Sequence, residues 1–205
     1  MNHTYLPAST PKSVSSSQRI PKVLALIESA KAVSNLNSIC SASPLLSGLI
    51  FAAEDFAHDL SITRTPSLTE FLYARSAIVT AARAHDLPST IDLVCTDYKD
   101  EAGHERLQEE SDNGKSMGFN GKQCIHPAQV KTVQAAFSPG AKEVEWAVRI
   151  SIADAKAEGR GAWALNGKMI DAPVVKKAKA IVKRAGICGL DVKDLQEKWK
   201  AQAPE

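Results

Sequence analysis

None of the four cysteines of this 205-residue sequence has a neighbour at C-x-x-C spacing; Cys40, Cys95, Cys124 and Cys188 are scattered singly. That pattern excludes a zinc ribbon and a disulfide framework, and it fits a reducing compartment. The histidines, His3, His58, His85, His104 and His126, form no H-x-x-x-H pair, so the helical zinc motif is absent too. No apolar run approaches the roughly 18 residues of a membrane span. The formal net charge is only +2, which implies neither nucleic acid nor a membrane surface as partner. There is no Walker loop, no G-x-G-x-x-G and no G-x-S-x-G elbow. Acids are missing from the first twenty residues, which are rich in Ser and Pro. This stretch reads as a disordered tail, with an organelle transit peptide as the alternative.

What is present is ordinary in amount, 44% hydrophobic and 23% charged, but organised. Four short apolar runs end on polar residues: "KVLALIES" at Glu28, "GLIFAAED" at Glu54 and Asp55, "IDLVCTD" at Asp97, and "GKQCIHP" at His126. They are too short for independent helices and nearly continuous, as strands buried on both faces of a parallel sheet are. The spacers have helical character. Ser29 to Ala42 opens the first. The second has Leu68, Leu72, Arg75, Ile78, Val79 and Ala82 on one face, with Ser67 as N-cap and Glu70 three residues on. "DEAGHERLQEESDNGKSMGF" reads as a polar surface helix, and Pro127 suits a first helical position. The result is strand–helix four times over, an α/β pattern with parallel strands.

In such folds the site lies at the carboxyl ends of the strands, where Glu28, Asp55, Asp97 and His126 fall. Two carboxylates converging there suit Mg²⁺, which takes one or two protein carboxylates and leaves its other positions to water and substrate. Further on, Asn166-Gly167 between two apolar arms predicts a tight hairpin. It ends at Asp171, ahead of Pro173 and an amphipathic helix, so Asp171 also suits an N-cap.

Five segments in register carry a resemblance: "LALIESAKAVSNL", "LIFAAEDFAHDL", "YARSAIVTAARA", "GFNGKQCIHPAQV" and "NGKMIDAPVVKKA". Together they resemble the citrate lyase beta-subunit-like proteins of the HpcH/HpaI aldolase and citrate lyase superfamily, from about Pro21 to about Gly186. The resemblance implies a TIM-type barrel that uses Mg²⁺ to break or form a carbon–carbon bond. Its substrates would be 3-hydroxyacyl-CoA thioesters of the malyl, citramalyl or citryl type. By the same resemblance "IES" makes Glu28 a metal and substrate ligand, and "AAED" makes Asp55 the second metal ligand, with Glu54 behind it. "MID" makes Asp171 a catalytic acid/base that reaches a neighbouring subunit's site. A homo-oligomer is implied, a trimer among the options, in a mitochondrial or cytoplasmic setting.

Members of the family run to about 300 residues and eight strands. The four strands here match the second half. The expected fold is therefore an incomplete TIM (β/α)8 barrel: four parallel strands with helices, then a C-terminal hairpin and helices. The expected division is a tail over 1–20, a partial barrel over 21–140 and an arm over 141–205. The strand-borne arginine that grips the substrate carboxylate in relatives has no match, since neither Arg19 nor Arg64 occupies its position, and Ala52 stands where a glycine is usual. Two functions follow from this: a CoA-thioester lyase, or a truncated, catalytically weak homologue that keeps the metal site or serves as an assembly partner.

Overall fold

Each expected strand–helix unit forms, with the strands shorter and displaced. The computed structural model describes residues 20–205 apart from Tyr98, Glu158 and Arg160, so the tail expected over 1–20 lies almost wholly outside the described residues. Two compact units divide between Thr90 and Ile91.

In the first unit, β1 (Val23–Ile27) and β2 (Leu46–Phe51) pair in parallel, with Ile27 opposite Phe51. Between them run α1 (Ala30–Ser34) and α2 (Leu36–Ser41). A single helix was expected here. It breaks at Asn35, whose side chain donates to the Lys31 carbonyl at 2.7 Å and so competes with the helical ladder. After β2 come α3 (Ala53–Leu60), a 3-10 turn (Thr69–Phe71) and α4 (Leu72–Ala84). The expected cap at Ser67 is replaced by that turn. Leu72, placed on the buried face by periodicity, is exposed, and Phe71 is buried instead. Phe51, Phe56 and Phe71 pack edge to face at 5.4–6.3 Å between centroids and form the centre of this unit. Gly48 is required by a close approach: a Cβ there would stand 2.5 Å from Ser89 Cβ. β1 is not buried on both faces as expected. Its only strand neighbour among the described residues is β2, and Val23, Leu24 and Leu26 are 48%, 42% and 50% exposed.

The unit boundary falls inside β3 (Ser89–Asp92), which pairs in parallel with β4 (Gly121–Lys122). α5 (Glu101–Ser116) lies between them, capped by Asp100, whose carboxylate accepts from Gly103 N at 2.8 Å. It is not a plain surface helix. Gly103, Leu107, Glu110, Ser111 and Gly114 form a buried face. α6 (Pro127–Phe137) and α7 (Ala141–Ala155) follow, then β5 (Ala162–Leu165) and β6 (Lys168–Asp171), then α8 (Ala172–Ile187) and α9 (Lys193–Lys198). β5 and β6 form the expected antiparallel hairpin, with Asn166 and Gly167 at φ 51° and 70° as a tight turn of that hand needs. Trp163, Leu165 and Ile170 of the hairpin share a core with Ala147, Ile150 and Ala153 of α7 and Val175 and Ala178 of α8. The fold is thus α/β, with four parallel strands and their helices followed by a hairpin and helices.

Candidate functional site

Glu28 is the first residue beyond β1, between fully buried Ile27 and Ser29, which caps α1 by accepting from Ala32 N at 3.2 Å. Ala52 N donates to Ile27 O at 3.1 Å, so the chain leaves both strands at one level. Asp55 is not a strand end but sits in the first turn of α3, with Glu54. Negative charge is favoured at that helix end. Because β1 and β2 are parallel and in register, Glu28 and Asp55 both follow the carboxyl end of the pair. Both are exposed. Among the described residues neither carboxylate has a hydrogen bond or ion pair, whereas Glu54 is held by Arg64 at 2.6 Å. Arg64 comes from the loop after α3, and spacing alone gave no sign of this pairing. Ala52 has φ −94°, a conformation any residue adopts, so alanine in the glycine position brings no strain.

Oxygen donors that are exposed and not engaged fit a hard cation. No group of three or more His, Cys, Asp or Glu side chains is clustered for a metal among the described residues. Two protein carboxylates with the remaining positions left to water and substrate is the pattern Mg²⁺ tolerates and structural zinc does not.

The other two strand ends differ from expectation. β3 stops at Asp92, and β4 is only two residues long. Asp97 and His126 therefore lie on loops beyond the strands, both exposed. Thr96, Asp97, Lys99, Asp100 and Arg106 border a polar cavity of about 560 Å³. His126 is the N-cap of α6, its Nδ1 accepting from Ala128 N at 3.2 Å, with Pro127 at the first helical position as expected. Burial raises the Cys124 thiol above its ordinary value against the smaller, opposing pull of Lys122.

Asp171 ends β6 and caps α8, its Oδ1 accepting from Val174 N at 3.1 Å. It is half-buried and borders a cavity of about 380 Å³ with Trp163, Val175, Lys176, Lys179 and Asp154. Lys179 and Asp154 are paired across it at 2.8 Å.

Sequence reasoning missed a charged seam in the second unit. Asp92 and Lys122 are paired in register, both buried, and Lys122 Nζ lies 2.9 Å from Glu110 Oε2. A Cβ on Gly114 would stand 2.4 Å from Asp92 Oδ2, so the backbone of α5 rests on that carboxylate. The available signal was the i, i+4 spacing of Glu110 and Gly114 with Leu107 one turn earlier, which gives α5 a second, buried stripe.

A family model described as HpcH/HpaI aldolase/citrate lyase matches residues 7–127. The chain is 39% identical over 166 residues to the citrate lyase subunit beta of Haemophilus influenzae, covering 80% of this chain and 56% of that one. It is 35% identical over 170 residues to the human mitochondrial citramalyl-CoA lyase, covering 78% and 49%. The chain thus spans about half the length of the curated relatives it matches. Among solved structures it resembles the Mycobacterium tuberculosis CitE complex with magnesium, acetoacetate and coenzyme A, with TM-score 0.65 and 32% identity over 80% of this chain and 61% of that one. A citrate lyase from Burkholderia xenovorans, at 24% identity and TM-score 0.72, supports the fold.

Proposed function

Since the chain belongs to the HpcH/HpaI aldolase/citrate lyase family, we propose that it serves a Mg²⁺-dependent carbon–carbon lyase acting on 3-hydroxyacyl-CoA thioesters of the citramalyl, malyl or citryl type. The observation that carries this reading is the pair of exposed carboxylates with no described partner, Glu28 and Asp55, at one end of two adjacent parallel strands. Relatives named as citrate lyase beta subunit and citramalyl-CoA lyase, and a neighbour solved with magnesium and coenzyme A, support the same chemistry.

In a retro-aldol cleavage the carbon–carbon bond breaks, the substrate hydroxyl loses its proton and becomes a carbonyl, and the departing thioester carbon gains a proton. Glu28 and Asp55 would hold Mg²⁺, which supplies positive charge for oxygens that become more negative. Glu28 also orients the keto-acid half. Glu54 is kept out of the ligand set by Arg64. Asp171 is the residue we assign to protonating the thioester carbon, as general acid in a neighbouring subunit's site. That assignment needs a homo-oligomer, a trimer among the options, which sedimentation would show as a mass above one chain at micromolar concentration. A mitochondrial or cytoplasmic setting accompanies this reading. No helix among the described residues is long and apolar enough to cross a membrane.

A second reading rests on the chain's half-length match to its relatives. In it the chain keeps the metal pair but turns over weakly, or assembles with another polypeptide. Calorimetric titration with Mg²⁺, beside an assay on citramalyl-, malyl- and citryl-CoA, separates the two. The lyase reading expects Mg²⁺ binding that is lost in Asp55→Ala, and turnover that is lost with it. Mg²⁺ binding without turnover of any of the three thioesters supports the second reading. Equal Mg²⁺ affinity in wild type and Asp55→Ala removes Asp55 from the site.

A further inference from the structure

Gln129 is fully buried although it lies in the first turn of α6. Its Oε1 accepts from Ile125 N at 2.9 Å and from His126 N at 3.3 Å. The second of these bonds closes the capping box with His126. A capping box needs only an acceptor at this place, and glutamate serves as well as glutamine. The amide does more. Its Nε2 donates to Cys95 O at 2.8 Å, 34 residues away. Only glutamine offers a donor there, because an ionised carboxylate is acceptor-only.

The bond therefore joins the two loops that follow β3 and β4. Cys95 immediately precedes Thr96 and Asp97, which wall the 560 Å³ polar cavity. Ile125 and His126 form the last turn before α6. The His126 ring is fixed from the same place. Its Nδ1 accepts from Ala128 N, so in the neutral ring the hydrogen is on Nε2.

We propose that Gln129 is a positioning residue: its side-chain amide clamps the Cys95–Asp97 loop to the Ile125–His126 turn and so fixes the wall that Thr96 and Asp97 give the cavity. Its consequence for turnover rests on the lyase reading. The clamp itself does not depend on that reading.

The test uses the full chain with Gln129→Glu and Gln129→Met. Gln129→Glu, studied at a pH high enough to ionise a carboxyl that burial makes a weaker acid, keeps the acceptor for Ile125 and His126 and faces the Cys95 carbonyl with a second acceptor. Gln129→Met keeps the length and loses both functions. In Gln129→Glu, amide exchange at Ile125 and His126 should stay near wild type, while the Thr96 ¹⁵N resonance, which reports the preceding carbonyl, should move. In Gln129→Met, exchange at Ile125 should rise about tenfold, the scale of one lost hydrogen bond. With a cleaved thioester, KM in Gln129→Glu should rise about tenfold while Mg²⁺ affinity stays unchanged, a split that general loss of stability would not produce. An unmoved Thr96 resonance in Gln129→Glu overturns the clamp, whatever the turnover. If wild type cleaves no thioester, the lyase reading fails, and exchange and the Thr96 shift still judge Gln129. Should Gln129→Met not fold, Gln129→Glu carries the test, since it preserves the cap.

Discussion

Lys122→Met should cost more stability than its position on a two-residue strand suggests. Its ammonium and the Glu110 carboxylate are 2.9 Å apart, with side chains 0% and 5% exposed. At an effective dielectric of about 20, their attraction at that distance is about 6 kcal/mol. Desolvation costs several kcal/mol for each ion, so the intact pair contributes little net. Removing one partner is different. Glu110 then keeps its desolvation cost without the Lys122 ammonium beside it, and losses of about 3–5 kcal/mol are usual. That is a fifth or more of the roughly 5–15 kcal/mol that holds a typical domain together. The seam has little freedom to relax, because α5 rests against Asp92 at Gly114. Urea unfolding of Lys122→Met should show a midpoint lowered by that loss divided by m, with m itself unchanged. The double variant Glu110→Leu/Lys122→Met, which removes both charges, should recover to within about 1 kcal/mol of wild type. A loss below about 1 kcal/mol in Lys122→Met at constant m would refute the reasoning.

Three further outcomes follow from the same coordinates. Asp171 has two separable roles: Asp171→Ala should lose the α8 cap and about 1 kcal/mol by thermal unfolding, whereas Asp171→Asn keeps the cap but should lower turnover about 10²-fold in a preparation that cleaves a thioester. Full turnover in Asp171→Asn would leave only the cap. Burial raises the Glu70 carboxyl, but hydrogen bonds from the Thr65 N–H and hydroxyl and the charge of Arg64 outweigh it and hold Glu70 below its ordinary value. Its contribution is therefore complete above the unfolded value of about 4.3 and is lost as pH falls through the lower folded one. Acid titration followed by NMR should show the 65–70 turn loosening in that window, and Glu70→Gln should weaken the dependence. Gly48→Ala should cost about 1–3 kcal/mol, since its Cβ would press on Ser89. A variant as stable as wild type would show that β2 and Ser89 can separate freely.

The parallel strands, the hairpin and the caps at Pro127 and Asp171 were legible because each rests on a local rule. What failed was the ending of the strands. The apolar runs reach Glu54 and Asp97, but β2 stops at Phe51 and β3 at Asp92. The residues that misled are still buried: Ala52 and Ala53 enter α3, and Leu93 and Cys95 line a loop. An apolar run reports burial, not the hydrogen-bond ladder, and here burial continues past the last strand residue. Ser89 and Thr90 show the converse, polar letters inside a strand, with Thr90 fully buried. The same distinction governs the site. Glu28 and Asp55, the pair proposed for Mg²⁺, stand out in the sequence because they follow apolar runs, and both are exposed with no described partner. Gln129, Lys122 and Arg64 were not found, because their partners lie 34, 12 and 10 residues away and no local spacing encodes such pairs. Residues proposed for a ligand thus follow local rules in the sequence, while Gln129, Lys122 and Arg64 depend on partners that only the folded chain brings to them. Variants at Gln129 should therefore alter loop geometry while leaving unchanged the Mg²⁺ affinity that our proposal assigns to Glu28 and Asp55. The Gln129→Glu experiment separates these effects, with Mg²⁺ affinity as its internal reference.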